Sequence, residues 1–582
     1  MAVPASIAGG TYGSSQGDDQ RQANDVGRGA SHCRPAVRAP WTGRGNLSGR
    51  SWRNHAAARI RGGAIMILGD VIERNARCCR DQPAFVFEGR RVTHDQFAER
   101  VRRLGNALLA LGLARGDRIV ILAQNCPEYM EVYGAAGMCG FIAVGMNYRL
   151  SAADQAAILR DCTPALLVYD PEYEERVQEL LGALPAQART LKLGPDAGEA
   201  GYEAAVSRAD ASMPPLRARD DDTIFLIYTS GTTGAAKGVM LGNAGQVEQA
   251  RMLALSHGAQ PTDRMLIVMP AYHIGGTTEL LSYLVCGATI VLHRRFDPRE
   301  ILESIERHQV TAAHFAPIMI QALLDEQEKR AADLSSLQTV CYASAPMSVA
   351  LSRRAHRALG PIFMQVYGMT EHGPGSALLK HQHEPEGNPV QAARMASAGQ
   401  PILGVEMKIV GDDGRELETG QIGEIAMRSA AIMQGYWGKP AETAAALEGG
   451  WMKTGDLGYF DEDHYLFIVD RKKDMIISGG ENIYSREVEE ALLLHPAVLE
   501  AAVIGIPDEK WGESVKAFVA LKPGAAVDEE TLIAHCRQLI ASYKKPRSIG
   551  FMAALPRLPS TNKIDKKALR APYWANNARQ VA

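Results

Sequence analysis

The stretch Tyr228-Thr-Ser-Gly-Thr-Thr-Gly-Ala-Ala-Lys-Gly-Val239 follows a short apolar run of β-forming residues. Its glycines allow backbone N–H groups to turn toward a ligand, its hydroxyl side chains add donors, and Lys237 adds a positive charge. This composition predicts a polyphosphate-binding loop formed by Thr229, Ser230, Gly231, Thr232, Thr233, Gly234 and Lys237. It is not the common P-loop, because Gly238 rather than serine or threonine follows the lysine. For the segment taken alone, a solvated surface loop is the alternative.

Length and composition indicate an enzyme-like protein with more than one domain. Its 582 residues exceed what one hydrophobic core supports, and its net charge of −3 gives no electrostatic case for nucleic acid or an anionic membrane. The nine cysteines lack metal-ligand spacing and read as reduced thiols. The apolar windows 133–146 and 280–292 are too short and too interrupted by glycine to span a bilayer. We expect a cytoplasmic protein with no nucleic-acid partner and no stable membrane insertion.

The first 65 residues differ in composition from the rest of the chain. They are rich in Gly, Ser, Ala and Arg and nearly free of large aliphatic residues, which predicts a disordered extension. The arginine-rich run 34–61 is also compatible with an organelle transit peptide. We favour a third reading, in which Met66 is the physiological start.

From Met66 onward the pattern predicts alternating strands and helices. A hairpin is predicted at 84–93, and an amphipathic helix follows from Thr93 or His94. Further strands are predicted at 118–122, 165–169, 265–269, 288–292, 339–343 and 362–366, with helices such as 299–308 between them. This alternation predicts an α/β fold with parallel sheets covered by helices.

The chain after Gly404 changes character. Shorter strands at 405–410 and 424–428 predict a smaller β-rich unit. The charged run 470–474 then predicts a linker or hinge before a last segment of about 110 residues. Without other signals, a charged run such as 470–474 more often forms a solvated turn, which is the alternative interpretation.

Eight further motifs follow the glycine-rich loop along the chain. They lie at 269–276, 343–346, 365–371, 420–425, 451–456, 470–474, 478–484 and 558–565. Together with the loop, they resemble the acyl-adenylate-forming superfamily of acyl- and aryl-CoA synthetases, firefly-type luciferases and peptide-synthetase adenylation domains. The resemblance runs from about residue 68 to residue 570.

The resemblance implies a two-domain architecture. A large domain at 66–472 would hold two mixed or parallel sheets flanked by helices, together with a small β-barrel-like subdomain. A mobile α+β domain would occupy 473–582. Mobility is implied because Lys473 matches the family's hinge position.

The segment Gln365-Val-Tyr-Gly-Met-Thr-Glu371 closely matches a core motif of that superfamily. By this resemblance, Tyr367 and Gly368 border the adenine, Thr370 donates to an α-phosphate oxygen, and Glu371 holds Mg²⁺. Taken alone, Thr-Glu more often reads as a helix N-cap with an acidic residue in the first turn. The adenine slot would also include Ser344, Ala345 and Pro346, where the family has Gly-Gly-Ala-Pro.

Four residues outside that segment complete the implied catalytic set. Asp456 would accept hydrogen bonds from both ribose hydroxyls, and Arg471 would reach the ribose and phosphates. Lys563 would bridge the α-phosphate and the attacking carboxylate. His273, expected at a strand end, would border the acyl pocket or the thiol tunnel. Taken alone, Asp456 would be read as an aspartate in a turn, Lys563 as a lysine that aids solubility, and His273 as a histidine of the core.

The second half of the implied reaction uses the last domain. After rotation at Lys473, that domain would withdraw Lys563 and present a loop of Ser478, Gly479 and Gly480 that leaves room for pantetheine. Three departures from the family pattern, Ala236 for proline, Ala343-Ser344 for Gly-Gly and Asn562 for glycine, remove no charged group.

These features predict an ATP- and Mg²⁺-dependent acid–CoA ligase that acts on a fatty or aryl acid. Pocket determinants are expected around 273–280, 315–320, Ser344 and 373–377. A ligase that loads a carrier protein, a luciferase-like enzyme and a non-catalytic nucleotide-binding scaffold are the alternatives. The oligomeric state stays open, with a homodimer among the options.

Overall fold

The computed structural model describes residues 65–229, 236–343, 345, 347–558 and 563–575. Apart from Ile65, the predicted disordered extension lies outside these residues. The described part forms sixteen α-helices: α1 (Leu68–Cys78), α2 (His94–Ala110), α3 (Pro127–Cys139), α4 (Ala152–Cys162), α5 (Glu174–Leu180), α6 (Tyr202–Arg208), α7 (Asn243–His257), α8 (Ile274–Leu284), α9 (Pro298–His308), α10 (Pro317–Lys329), α11 (Val349–Leu359), α12 (Pro389–Arg394), α13 (Pro440–Ala446), α14 (Ser485–Leu493), α15 (Glu529–Leu539) and α16 (Lys566–Trp574).

The same residues form twenty-six strands. They are β1 (Pro83–Phe87), β2 (Arg90–Thr93), β3 (Arg118–Leu122), β4 (Ile142–Gly145), β5 (Leu166–Tyr169), β6 (Arg189–Lys192), β7 (Thr223–Thr229), β8 (Lys237–Gly242), β9 (Arg264–Ile267), β10 (Thr289–Leu292), β11 (Ala312–Phe315), β12 (Thr339–Tyr342), β13 (Phe363–Met369), β14 (Gly373–Leu378), β15 (Gln400–Pro401), β16 (Glu406–Val410), β17 (Gly423–Arg428), β18 (Gly435–Tyr436), β19 (Leu447–Glu448), β20 (Trp451–Phe460), β21 (Leu466–Arg471), β22 (Ile476–Ser478), β23 (Glu481–Ile483), β24 (Val498–Asp508), β25 (Gly512–Leu521) and β26 (Ser548–Phe551).

Two large mixed sheets form the main body of the fold. The nine-stranded sheet has the order β15-β14-β13-β12-β11-β9-β10-β1-β2, and its strands from β13 to β1 run parallel. The seven-stranded sheet has the order β18-β8-β7-β4-β3-β5-β6, with β7 to β6 parallel and the β7–β8 hairpin antiparallel. The carboxyl ends of such parallel strands are the usual location of ligand sites in open α/β sheets.

Two five-stranded sheets follow in the chain. The third sheet is antiparallel, has the order β16-β17-β20-β19 and carries β21 on β20. The fourth has the order β23-β22-β25-β24, with β26 parallel to β25. The predicted boundary between residues 472 and 473 stays a prediction. It falls in the connection 472–475 between the third and fourth sheets.

One hydrophobic core joins the two large sheets. Phe85 and Ile290 from the first sheet and Ile119 and Phe225 from the second are all fully buried in the same cluster. Helix α3 is buried along its length and inserts Tyr133, whose ring centroid lies 4.4 Å from that of Phe225. This shared packing fixes the two sheets relative to each other, which is what a site built from loops of both sheets requires.

Most predicted elements are present. The hairpin at 84–93 and the following helix are confirmed, and Thr93 caps that helix by accepting a hydrogen bond from the backbone N–H of Gln96. The predicted strands occur within a few residues of their expected bounds. Among the described helices, none has the length and hydropathy that a bilayer-spanning segment needs.

Candidate active site

The ends of the predicted polyphosphate loop come together at the tip of the β7–β8 hairpin. Thr229 and Lys237 face each other in register, and the Thr229 hydroxyl donates to the Lys237 carbonyl over 3.5 Å. The Lys237 ammonium lies 5.1 Å from the centre of the Tyr436 ring, a cation–π contact. The predicted contacts Ser230, Gly231, Thr232, Thr233 and Gly234 lie outside the described residues.

Thr370 and Glu371 lie in a tight turn between the antiparallel strands β13 and β14. Both are buried, each with 8 % exposure. The simpler reading of Thr-Glu as a helix N-cap is wrong, since a strand rather than a helix follows. The turn requires glycine at Gly368, because an added Cβ there would collide with the carbonyl oxygen of Gly373. The backbone thus holds this hydroxyl and carboxylate in a rigid, largely dehydrated position.

The carboxylate of Glu371 is held by an aromatic hydroxyl that sequence reasoning missed. Tyr436 donates from its OH to Oε1 of Glu371 over 2.9 Å. Burial raises the pKa of Glu371, while the Tyr436 hydrogen bond and the charge of Lys237 oppose that rise. Tyr436 therefore connects the lysine of the predicted loop to the acidic turn. An aromatic pair between glycines 435 and 438 was the available sequence signal.

Asp456 and Arg471 are cross-strand neighbours on β20 and β21. Arg471 Nε lies 3.5 Å from Oδ1 of Asp456, and the Tyr367 hydroxyl donates to Oδ2 over 2.8 Å. Burial, followed by the nearby Asp456 charge, raises the pKa of Tyr367 well above its usual value, so that hydroxyl remains a donor. Gly455, with φ +73°, forms the kink that precedes the aspartate. The structure thus brings Tyr367 together with Asp456 and Arg471, three predicted nucleotide contacts from two distant parts of the sequence.

Lys563 and His273 belong to the same neighbourhood. The side chain of Lys563 is exposed, yet the protein atoms around its ammonium, and then the positive charge of Arg471, lower its pKa, while Asp456 raises it. Burial lowers the pKa of His273 to about 4, and the charge of Lys563 contributes to that shift. The lysine of the C-terminal segment thus lies near the histidine that precedes α8. The neighbouring residues 559–562 lie outside the described part of the chain.

His273 caps a helix rather than ending a strand, which corrects the expectation from sequence. It is the N-cap of α8, and its Nδ1 accepts a hydrogen bond from the Gly275 N–H over 3.2 Å. A neutral ring is required for that acceptor role, in agreement with the lowered pKa. The cap fixes the orientation of the imidazole beside Lys563.

Of the predicted adenine segment, Ala345 is described and is exposed. It follows β12, whose last residue, Tyr342, pairs with Gln365 in β13. Ser344 and Pro346 lie outside the described residues.

The predicted hinge residue Lys473 stands between two oppositely anchored neighbours. The Lys472 ammonium lies 3.3 Å from Glu424 in the third sheet. Asp474 instead pairs with Arg570 of α16 over 2.8 Å. The two residues that flank Lys473 are therefore fixed to different parts of the structure. Rotation of the backbone at Lys473 would move one of these parts relative to the other.

Ser478, Gly479 and Gly480 form the tip of the β22–β23 hairpin. Ser478 pairs with Glu481, and the two glycines between them have φ +63° and +86°. Such values favour glycine at both positions of a two-residue hairpin turn. A Cβ on Gly479 would come within 2.6 Å of the Trp511 ring. The described contacts of this loop lie within the fourth sheet, so the structure does not group it with Asp456 and Lys563.

Comparisons with known proteins agree with this geometry. The family model "AMP-binding enzyme" matches residues 72–437, and the model "AMP-binding enzyme C-terminal domain" matches residues 487–562. A feruloyl-CoA synthase from Amycolatopsis sp is 37 % identical over 87 % of this chain and 99 % of its own length. The fatty acid–[acyl-carrier-protein] ligase ScoC from Streptomyces coeruleorubidus is 36 % identical over 86 % and 95 %.

A solved structure extends the likeness to three dimensions. The o-succinylbenzoate CoA synthetase MenE from Bacillus subtilis, in complex with its acyl-adenylate intermediate, aligns with a TM-score of 0.76 at 31 % identity. The alignment covers 88 % of this chain and 99 % of that one. The fold class predicted from sequence, an α/β two-domain architecture with mixed sheets flanked by helices, is confirmed.

Proposed function

The chain belongs to the AMP-binding enzyme family, and we propose that it is an ATP-dependent ligase that joins a fatty or aryl carboxylic acid to coenzyme A. The predicted reaction class, an AMP-forming acid–CoA ligase, is confirmed by curated relatives of that class that match most of the chain. The observation that carries the proposal is that Asp456 pairs with Arg471, and that Lys563 lies close enough to both of them and to His273 for their charges to shift pKa values.

The nucleotide is held by the Asp456 carboxylate. Its Oδ1 and Oδ2 accept hydrogen bonds from the two ribose hydroxyls, and hydrogen bonds to a charged acceptor contribute about 1.5–3 kcal/mol each. Tyr367 fixes the rotamer of this carboxylate through its 2.8 Å hydrogen bond. Arg471 remains half-exposed, with 51 % side-chain exposure, and can therefore also reach the phosphates.

Mg²⁺ is the metal that fits the acidic turn. Glu371 offers a buried carboxylate, and its Oε1 accepts a hydrogen bond from the neutral hydroxyl of Tyr436. Carboxylate oxygens are ligands that suit Mg²⁺. A bound Mg²⁺ would neutralise charge on the phosphate oxygens. Glu371 would contribute one ligand, and Tyr436 would keep that carboxylate oriented.

Adenylation is a displacement at the α-phosphorus of ATP. A carboxylate oxygen of the acid forms a bond to that phosphorus, the α–β phosphoanhydride bond breaks, and pyrophosphate leaves. Thr370 donates to an α-phosphate oxygen, while Lys563 places its ammonium between that oxygen and the attacking carboxylate. Fixed donors aimed at developing charge are the main source of rate enhancement in such a step.

Thioester formation follows after a rearrangement at Lys473. The thiol sulfur of coenzyme A bonds to the acyl carbon, the acyl–phosphate bond breaks, AMP leaves, and the thiol proton passes to solvent. The hairpin at 478–480 then lies over the acyl carbon, where its two glycines leave room for pantetheine. The opposite anchoring of Lys472 and Asp474 supports this motion.

A carrier-protein ligase is the alternative that a relative favours. ScoC transfers a fatty acid to an acyl carrier protein and matches this chain nearly as well as the feruloyl-CoA synthase does. A non-catalytic scaffold is less well supported, because Thr370, Glu371, Asp456, Arg471 and Lys563 are all present.

One assay separates these functions. A panel of fatty and aryl acids is incubated with ATP and Mg²⁺, and AMP release is measured without acceptor and with coenzyme A, pantetheine or a purified holo-carrier protein. The proposal predicts acid-dependent AMP release that coenzyme A stimulates most. Stronger stimulation by the carrier protein would establish the alternative. If no acid in the panel leads to release of AMP or pyrophosphate, ligase function is excluded.

We retain a cytoplasmic location as part of the proposal. The supporting observations are the composition and the absence of a bilayer-spanning helix in the described part of the chain. Size-exclusion chromatography with light scattering decides between a monomer and a homodimer.

A further inference from the structure

Five polar side chains are buried between α7, α8 and the first sheet, and we call them the distal polar cluster. They are Gln246 and Gln249 on α7, Thr278 and Glu279 on α8, and His314 on β11. Each is 4 % exposed or less. Both amide atoms of each glutamine and the Thr278 hydroxyl have no hydrogen-bond partner among the described residues. Oε2 of Glu279 lies 3.5 Å from Nε2 of His257, and Nδ1 of His314 lies 4.0 Å from Oε1 of Glu279, so these groups are only loosely paired. Burying so many unsatisfied polar groups is costly and calls for an explanation.

Part of the cluster lies along α8, which begins directly after His273 of the proposed reaction site. His273 caps α8, and Glu279 follows six residues later, about 9 Å along the helix axis. Gly275 separates the two histidines, because a Cβ there would lie 3.4 Å from Nδ1 of His273 and 3.6 Å from Cε1 of His314. Glycine at this position therefore contributes no side-chain atom between the two rings.

The cluster also adjoins the acidic turn. The side-chain amide of Gln249 lies so close to Gly373 that a Cβ on this glycine would collide with Nε2. Gly373 follows directly after the turn at 370–372. His314 therefore lies beside His273, and Gln249 lies beside the turn that carries Thr370, so members of the cluster adjoin two residues of the proposed reaction site.

We infer that the acid accepted by the proposed ligase carries a hydroxyl or carbonyl group remote from its reacting carboxylate, which hydrogen-bonds to the distal polar cluster. This inference rests on the proposed function and specifies its substrate class. Amide groups and a neutral imidazole can each donate and accept, which suits uncharged oxygen groups. A site built to hydrogen-bond such a group rejects analogues that lack it, because its own buried polar groups are then left unpaired.

The electrostatics of the cluster exclude a second negative charge on the acid. Burial raises the pKa of Glu279 to about 8 and lowers the pKa of His314 to about 4. The cluster is therefore largely neutral near pH 7 and offers no cation to a second carboxylate. A dicarboxylic acid would bury an unpaired charge there.

A bound metal ion is the competing explanation. His257, Glu279 and Cys341 place ligand atoms within 4.8 Å of one another. Two observations favour substrate instead. The Cys341 thiol donates to Oε1 of Glu279 over 3.1 Å, and an ion at this point would leave the amides of Gln246 and Gln249 without partners.

The test compares matched acids with the full-length enzyme. The pairs are cinnamic acid with its para-hydroxy derivative, and octanoic acid with its terminal hydroxy derivative; octanedioic acid tests charge. AMP release gives kcat/KM for each. We expect a preference of about tenfold or more for the hydroxylated member of at least one pair. Equal or higher kcat/KM for the unsubstituted acid in both pairs, or preference for octanedioic acid, overturns the inference.

Variants assign any preference to the cluster. Gln246→Met and Gln249→Met remove the amides at similar volume, and Gln178→Met on the exposed face of α5 is the matched control. We expect at least one cluster variant with unchanged melting temperature to lose most of the hydroxyl preference, while the control keeps it. An unchanged preference in both cluster variants overturns the inference.

Two further outcomes are distinguishable. Failure of every acid to release AMP refutes the proposed function itself, whereas AMP release with preference for apolar acids refutes only the inference. A stoichiometric metal, found by elemental analysis and lost in Cys341→Ser, would assign the cluster to an ion and overturn the inference.

Discussion

Tyr436→Phe removes one hydroxyl and keeps the ring that contacts Lys237. The lost hydrogen bond, 2.9 Å long, ends on the carboxylate of Glu371. A hydrogen bond to a charged acceptor contributes about 1.5–3 kcal/mol, and 1.36 kcal/mol corresponds to one pKa unit. The variant should therefore raise the pKa of Glu371 beyond the rise that burial already causes.

The consequence is a shift of the acidic limb of the pH–rate profile. Glu371 must be ionised to hold Mg²⁺, so activity is lost as the pH falls through its pKa. In Tyr436→Phe this loss should begin at a higher pH than in the wild type, and below that point more Mg²⁺ should be needed for half-maximal rate. Initial rates of AMP release between about pH 5 and pH 9, at several Mg²⁺ concentrations, measure both effects.

The control for this variant is Tyr543→Phe, since Tyr543 is 52 % exposed and belongs to the C-terminal segment. Its profile should match the wild type. If Tyr436→Phe keeps the wild-type acidic limb and Mg²⁺ dependence, Glu371 does not act as the carboxylate that holds the metal.

Three further predictions test other contacts of the site. Tyr367→Phe frees the Asp456 carboxylate and should lower kcat/KM for ATP by about tenfold or more, with little effect on the KM of the acid; equal losses for both substrates would contradict that role. Lys473→Pro should stiffen the hinge, sparing acid-dependent pyrophosphate exchange and slowing coenzyme A transfer, and unchanged transfer would argue against rotation. The pKa of His273, about 4, lies below its unfolded value, so its contribution to stability should be lost as the pH falls from about 6.5 toward 4. His273→Asn, which retains a capping acceptor for Gly275, should lose less melting temperature over that range than the wild type, and an identical loss would disprove the lowered pKa.

Much of the fold was predictable because its signals are local. The β1–β2 hairpin, the capped helix α2 and the buried parallel strands are encoded by short runs with a clear period. The chemistry-bearing motifs were readable for the same reason, since each is contiguous. The pairing of Asp456 with Arg471 then follows once the two adjacent strands of the third sheet are in register.

The remainder depends on contacts between distant segments. Tyr436 reaches Glu371 across 65 positions of sequence, and neither residue's local pattern indicates the other. His273 was expected at a strand end, but the backbone turns directly into α8, and the imidazole becomes its cap. The distal polar cluster escaped prediction because Gln246, Glu279 and His314 lie on three elements whose packing alone brings them together.

The most direct test of the mechanism is Lys563→Ala, with each half-reaction measured separately and Lys567→Ala, a change of an exposed neighbour, as the control. Removing a fixed charge that stabilises the adenylation transition state should lower acid-dependent pyrophosphate exchange by about 10²- to 10³-fold. Thioester formation from supplied acyl-AMP and coenzyme A should remain near the wild-type rate, and Lys567→Ala should change neither rate. An equal loss of both half-reactions in Lys563→Ala, or retention of pyrophosphate exchange, would contradict the assignment of Lys563 to the adenylation step.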